Sequence, residues 1–145
     1  PVTLGLLGLL CSTSVSAGST SLVRRDYLEW RENDLPSPCV TLGNPPYTRL
    51  QLLGKAQRKR LVKRVAHCGS RAGLSTWILA DAFSRLRRED GLLFLLPTNW
   101  LEAEYSVQLR AELWRATHRR GERTVVHEQL FGDARVDAVV LLVGS

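Results

Sequence analysis

The stretch Pro38-Cys39-Val40-Thr41-Leu42-Gly43-Asn44-Pro45-Pro46-Tyr47 decides how the chain is read. Its first six residues form an apolar run without the polar alternation of a half-exposed strand. Such a run fits a strand buried on both faces of a parallel sheet. The four residues after it are chemically specific. Neither proline has an N–H and each has a fixed φ, so the turn is rigid and its carbonyls stay available as acceptors. Asn44 adds a side-chain oxygen at the strand end, and Tyr47 adds a flat face. Together they make a small pocket that accepts two hydrogen bonds from an amino group and stacks on a planar ring. The plain alternative is a stiff surface turn, because Asn-Pro and Pro-Pro often mark turns.

Working outward, Leu92-Leu-Phe-Leu-Leu96 reads as a second buried strand, and Ser21-Leu-Val-Arg-Arg25 is a weaker candidate. Between the first two, Leu74, Trp77, Ile78, Asp81, Ala82, Arg85 and Leu86 keep helical spacing, with Gly91 as the expected stop. A second helix is expected at about Ala103–Arg115, with Val107, Leu109, Leu113 and Trp114 on or near its apolar face. Thr124–Val126 and Val136–Val143 are β-rich and flank the turn chemistry of Phe131-Gly132-Asp133-Ala134, which predicts a terminal hairpin. The order predicts a three-layer α/β domain with a mostly parallel sheet and an antiparallel strand at its end. Ligands of such sheets bind beyond the carboxyl ends of the strands, so the residues after each strand are the ones to inspect.

Composition bounds the rest. The 145 residues are enough for one domain, and 44% hydrophobic with 23% charged residues is ordinary globular composition. No apolar run reaches the roughly 18 residues of a membrane span. Twenty basic against fourteen acidic residues give a charge of +6, which fits a polyanionic partner or a solvated basic surface. Lys55, Arg58, Lys59, Arg60, Lys63 and Arg64 concentrate that charge within ten positions. Cys11, Cys39 and Cys68 are odd in number and far apart, and no metal-ligand spacing joins them to a histidine. A reducing, cytoplasmic setting is therefore expected. Leu4–Leu10 and the Ser-rich stretch to Ala17 mimic a secretory signal, but the run is short and lacks a basic start, so an interior helix or strand is expected. The chain has no Met and begins at Pro1, which reads as a piece of a larger protein.

At this point the sequence resembles a known family. Asn44-Pro45-Pro46-Tyr47 is similar to the catalytic motif of amino methyltransferases that use S-adenosylmethionine. The best match is the N6-adenine DNA methyltransferases of restriction–modification systems with the gamma order of motifs. Arg25-Asp26-Tyr27-Leu28-Glu29-Trp30 resembles their acidic motif after the third strand, eighteen positions before Asn44. The helix from Gly73, the strand Gly91–Pro97 with its Asn99-Trp100-Leu101 sequel, the Leu109-Arg110 helix and Phe131-Gly132-Asp133-Ala134 resemble later motifs in the right order. The match runs from about Leu22 to Val143.

The resemblance implies a Rossmann-like class I methyltransferase sheet and a partner of double-stranded DNA. Asn44 and the Pro45 carbonyl would accept both amino hydrogens of an adenine flipped from the duplex, with Pro46 stiffening the turn. Tyr47 would stack on that base and Phe131 would pack against it. Asp26 would accept a hydrogen bond from the cofactor's adenine, with Tyr27 beside the ring, and the basic run would meet DNA phosphates. Each has a bland rival: Asp26 as a cap, Phe131 as core, Pro97 and Trp100 as loop packing, the basic run as an exposed helix face. The family's Gly-x-Gly cofactor turn does not precede Asp26, nor does any acidic residue, and no target-recognition domain follows Val143. The chain is thus expected to be an N-terminally incomplete catalytic domain that alone binds cofactor weakly. The same tetrad serves methyltransferases of RNA and of protein glutamine, and a truncated, inactive DNA-binding module is the non-enzymatic alternative.

Overall fold

Apolar strands and amphipathic helices build a four-stranded α/β unit in the computed structural model. It describes residues 26–29, 38–65, 68–69, 71–120, 123–128 and 138–144. The strands are β1 (Val40–Gly43), β2 (Gly91–Pro97), β3 (Arg123–Glu128) and β4 (Ala138–Val143). The helices are α1 (Lys55–Arg64), α2 (Leu74–Ser84) and α3 (Val107–Arg120). The weak strand candidate Ser21–Arg25 and the hairpin turn Phe131–Ala134 lie outside the described residues.

The sheet order is β1-β2-β4-β3. β1 and β2 are parallel, while β4 is antiparallel to both β2 and β3. The terminal hairpin therefore exists, but its second strand inserts between β2 and β3. The expected antiparallel strand is inside the sheet and not at its margin.

Register puts Leu92 opposite Val143, Phe94 opposite Leu141 and Leu96 opposite Val139. All six are buried on one face and belong to the core. α2 packs on β2, and α1 packs on α2. This stacking explains why α2 has no single apolar stripe: a helix covered on two sides is apolar nearly all round, and Leu74, Trp77, Leu79, Ala80 and Ala82 are all buried. Burying a Leu such as Leu79 contributes about 1.5–3 kcal/mol. On the other sheet face Leu93, Leu95, Val140 and Leu142 are only half-buried, and Val40 is 63% exposed. The expectation of strands buried on both faces is met on one face among the described residues.

Several boundaries differ from expectation, among them that of α3, which runs Val107–Arg120 and not Ala103–Arg115. α2 ends at Ser84, and Gly91 opens β2 instead of stopping the helix. The reversal between them is made by Asp90, whose Oδ2 accepts from the Arg87 backbone N–H and Nε, and whose Oδ1 accepts from the Cys39 N–H. Gly91 is small because a Cβ there would come within 3.3 Å of the Val40 side chain. In α3, Leu109 and Leu113 are buried at i, i+4 spacing, but Val107 and Trp114 are exposed.

Candidate functional site

β1 ends at Gly43, which pairs with Phe94, three residues before the end of β2. Two parallel strands thus deliver two loops to one edge of the sheet. Gly43 is required by close approach, since a Cβ there would lie 2.7 Å from the Phe94 ring. The next four residues grade outward: Asn44 is half-buried, Pro45 buried, and Pro46 and Tyr47 exposed. The Asn44 carboxamide makes no hydrogen bond among the described residues. Partial desolvation raises the Tyr47 hydroxyl above its ordinary pKa.

The exit from the tetrad is tied down. The Thr48 carbonyl accepts from the Leu74 N–H at 2.7 Å, Arg49 bridges to Gly73, and Leu50 is buried. The first turn of α2 therefore sets where the loop after β1 lies.

The second loop is held by residues to which the sequence reading assigned no role. Arg110 Nη1 donates to the Trp100 carbonyl at 2.9 Å, the Ala103 carbonyl at 2.8 Å and Ser106 Oγ at 2.5 Å. Ser106 Oγ itself donates to the Trp100 and Ala103 carbonyls. One guanidinium thus satisfies the carbonyls of a loop that also buries Trp100. The readable signal was a Ser and an Arg four apart beside the apolar Leu109–Leu113 stripe. Pro97 and Trp100 are buried, in line with their packing reading. The Gly69 N–H donates to the Tyr105 carbonyl at 3.3 Å, which joins this loop to the segment after α1. Beside it, burial and then the charge of Glu112 push the Cys68 thiol up to about 12.

Asp26 and Tyr27 are held by α1 and by the region of α2 around Asp81 and Arg85. Asp26 Oδ1 accepts from the Leu28 N–H, and Oδ2 accepts from Gln57 Nε2 at 3.1 Å. Tyr27 packs against α2, where its hydroxyl accepts from Arg85 Nη2 at 2.5 Å and its ring lies 5.1 Å under that guanidinium. Burial first, and Asp81 second, raise the Tyr27 pKa. The Ile78 carbonyl, which accepts a hydrogen bond from the Tyr27 hydroxyl at 3.5 Å, is one helical turn beyond Leu74, about 6 Å along the axis. Asp81 was the missed partner: it is 1% exposed, bonded by Arg85 at 2.5 Å and faced by Arg64 at 4.0 Å. Asp26 keeps unused lone pairs on an exposed carboxylate and so fits a cofactor donor. The Tyr27 hydroxyl and one ring face are taken by Arg85.

The basic run forms α1 and divides by face. Arg64 Nη2 donates to the Leu28 carbonyl at 2.6 Å, and Arg60 pairs with Glu29 at 3.9 Å. Arg58 is half-buried, while Lys55, Lys59 and Lys63 are exposed and unpaired among the described residues. Phe131 lies outside the described residues. Among the described residues no three His, Cys, Asp or Glu side chains gather as a metal site, and no helix is long and apolar enough to cross a membrane. No model of a known protein family matches the chain, and no curated protein matches it.

Proposed function

We propose that the chain is catalytic machinery of a methyltransferase that moves a methyl group from S-adenosylmethionine to the N6 amino group of an adenine flipped from duplex DNA. The observation that carries the reading is the half-buried Asn44 carboxamide, unpartnered among the described residues, at the carboxyl end of a parallel strand and followed by Pro45, Pro46 and an exposed Tyr47.

The chemistry follows from the residues. Removing a base from the stack costs a few kcal/mol, and an exposed aromatic such as Tyr47 returns part of that by stacking. The Asn44 side-chain oxygen and the Pro45 carbonyl accept the two amino hydrogens. That pulls the nitrogen out of conjugation with the ring and aims its lone pair away from the acceptors. S-adenosylmethionine supplies an electrophilic methyl on a sulfonium. The amine would need no prior deprotonation: the new N–C bond would form as the sulfonium C–S bond breaks to leave a neutral thioether, and the nitrogen would lose its proton to solvent afterwards, so positioning and polarisation carry the rate. Asp26 would hold the cofactor as an acceptor. Arg110 and Ser106 keep the loop after β2 in place.

The test is product identity. The full-length protein is incubated with tritiated S-adenosylmethionine and duplex DNA, RNA or protein, and the labelled product is hydrolysed. The label is expected on N6-methyladenine from duplex DNA. Label on cytosine, on RNA or on glutamine would overturn the substrate assignment, and no label on any of them would overturn the enzymatic reading.

A further inference from the structure

The two sides of α1 do different work. Leu61 is fully buried and Val65 nearly so, which marks the inward side. Gln57, Arg60 and Arg64 are spent on the segment 26–29, through Asp26, Glu29 and the Leu28 carbonyl. Lys55, Lys59 and Lys63 are spaced i, i+4, i+8 and so stand in one row, away from those contacts. All three are exposed, as is Val62 beside them.

Like charges four apart on a helix repel and destabilise it. A helix normally relieves this with an acidic residue on the same face, yet α1 contains no Asp or Glu. The nearby Asp26 and Glu29 face Gln57 and Arg60 on the other flank. Among the described residues the row therefore keeps an uncompensated charge of three, spread over about 12 Å of helix. A duplex carries one negative charge per about 1.7 Å of axis, so that length meets several phosphates at once. The helix starts only eight positions after Tyr47 in the chain.

We infer that Lys55, Lys59 and Lys63 form a ridge that docks the sugar–phosphate backbone of the duplex bearing the target base, and that Arg60 and Arg64 take no part in that contact. The inference rests on the proposed DNA reading and narrows a six-residue basic run to three side chains. It involves no base contacts, so the ridge positions the duplex without reading sequence.

The experiment measures binding of the full-length protein to two fluorescent duplexes across a NaCl series. One duplex contains adenine, and the other is built of G·C pairs alone. Lys55→Gln/Lys59→Gln/Lys63→Gln is compared with wild type and with Arg60→Gln. Gln is a good helix former at exposed sites, so α1 should persist, which circular dichroism checks. The triple variant is expected to lower the slope of log affinity against log salt by about 2.7, at roughly 0.9 per lost phosphate contact, equally on both duplexes. Arg60→Gln should leave the slope unchanged. An unchanged slope in the folded triple variant would overturn the ridge, as would wild-type protein that binds neither duplex or prefers RNA. If the ridge effect is found while the methyl group lands elsewhere than adenine, the docking inference stands and the adenine assignment falls.

Discussion

Gly43 and Phe94 set the position of Asn44 more tightly than any contact Asn44 makes itself. With 2.7 Å between a hypothetical Cβ at position 43 and the Phe94 ring, Gly43→Ala forces the ring or the strand to move. Overpacking of this kind costs about 1–3 kcal/mol. The expected result is a lower thermal midpoint together with lost methyl transfer, whereas Pro46→Ala, at an exposed position, should change stability little. Cys68 gives a second residue-scale prediction. Its ordinary thiol pKa of 9.0 rises to about 12 on folding because the thiolate loses solvation. The folded protein favours the protonated thiol, so this contribution is fully present below pH 9 and is lost as pH rises towards 12. At pH 8, alkylation of Cys68 followed by peptide mass mapping should be much slower in the folded than in the urea-unfolded chain. Equal rates would show that the thiol is not buried as described.

Among the elements, α2 carries a liability that α1 corrects. Asp81 is a buried carboxylate in a mostly apolar helix, held by Arg85 at the C-cap of α2 and approached by Arg64 from α1. Removing one partner of a buried pair costs about 3–5 kcal/mol, because the other charge is left without compensation. Arg85→Ala should therefore lower stability by about 3 kcal/mol in urea unfolding, and Lys63→Ala on the exposed side of α1 by less than about 0.5 kcal/mol. This layer also shows where sequence patterns run out. The apolar runs of β1 and β2 and the spacing of α2 were legible because they depend on local periodicity. The role of Tyr27 was not, since its ring partner Arg85 lies 58 positions away. Gly91 misled because a glycine after a helical pattern is a common stop, whereas here it admits Val40. The tetrad could be proposed as a site from sequence because the chemistry proposed for it is contained in four consecutive residues. The division of α1 into Arg60 and Arg64, which meet segment 26–29, and lysines unpaired among the described residues required knowing where that segment packs.

At the scale of the whole molecule, the sheet is unevenly supported. β4 pairs on both sides, with β2 and β3, while β1 pairs with β2 alone among the described residues. Amides of β4 should thus exchange with deuterium more slowly than those of β1 in the 145-residue chain, and the reverse order would contradict the sheet order. That order was not written in the succession of strands, because the insertion of β4 between β2 and β3 is decided by packing of the whole sheet. What the topology does is bring the loops after β1 and β2 to one edge, and the account of function depends on that edge. In the proposed function Asn44 polarises an amino group for methyl transfer. The direct test is the rate of methyl transfer to duplex DNA by the full-length protein carrying Asn44→Ala, with cofactor binding measured alongside. The account predicts a fall of about a hundredfold or more with cofactor affinity largely kept; a wild-type rate with Ala at position 44 would contradict it.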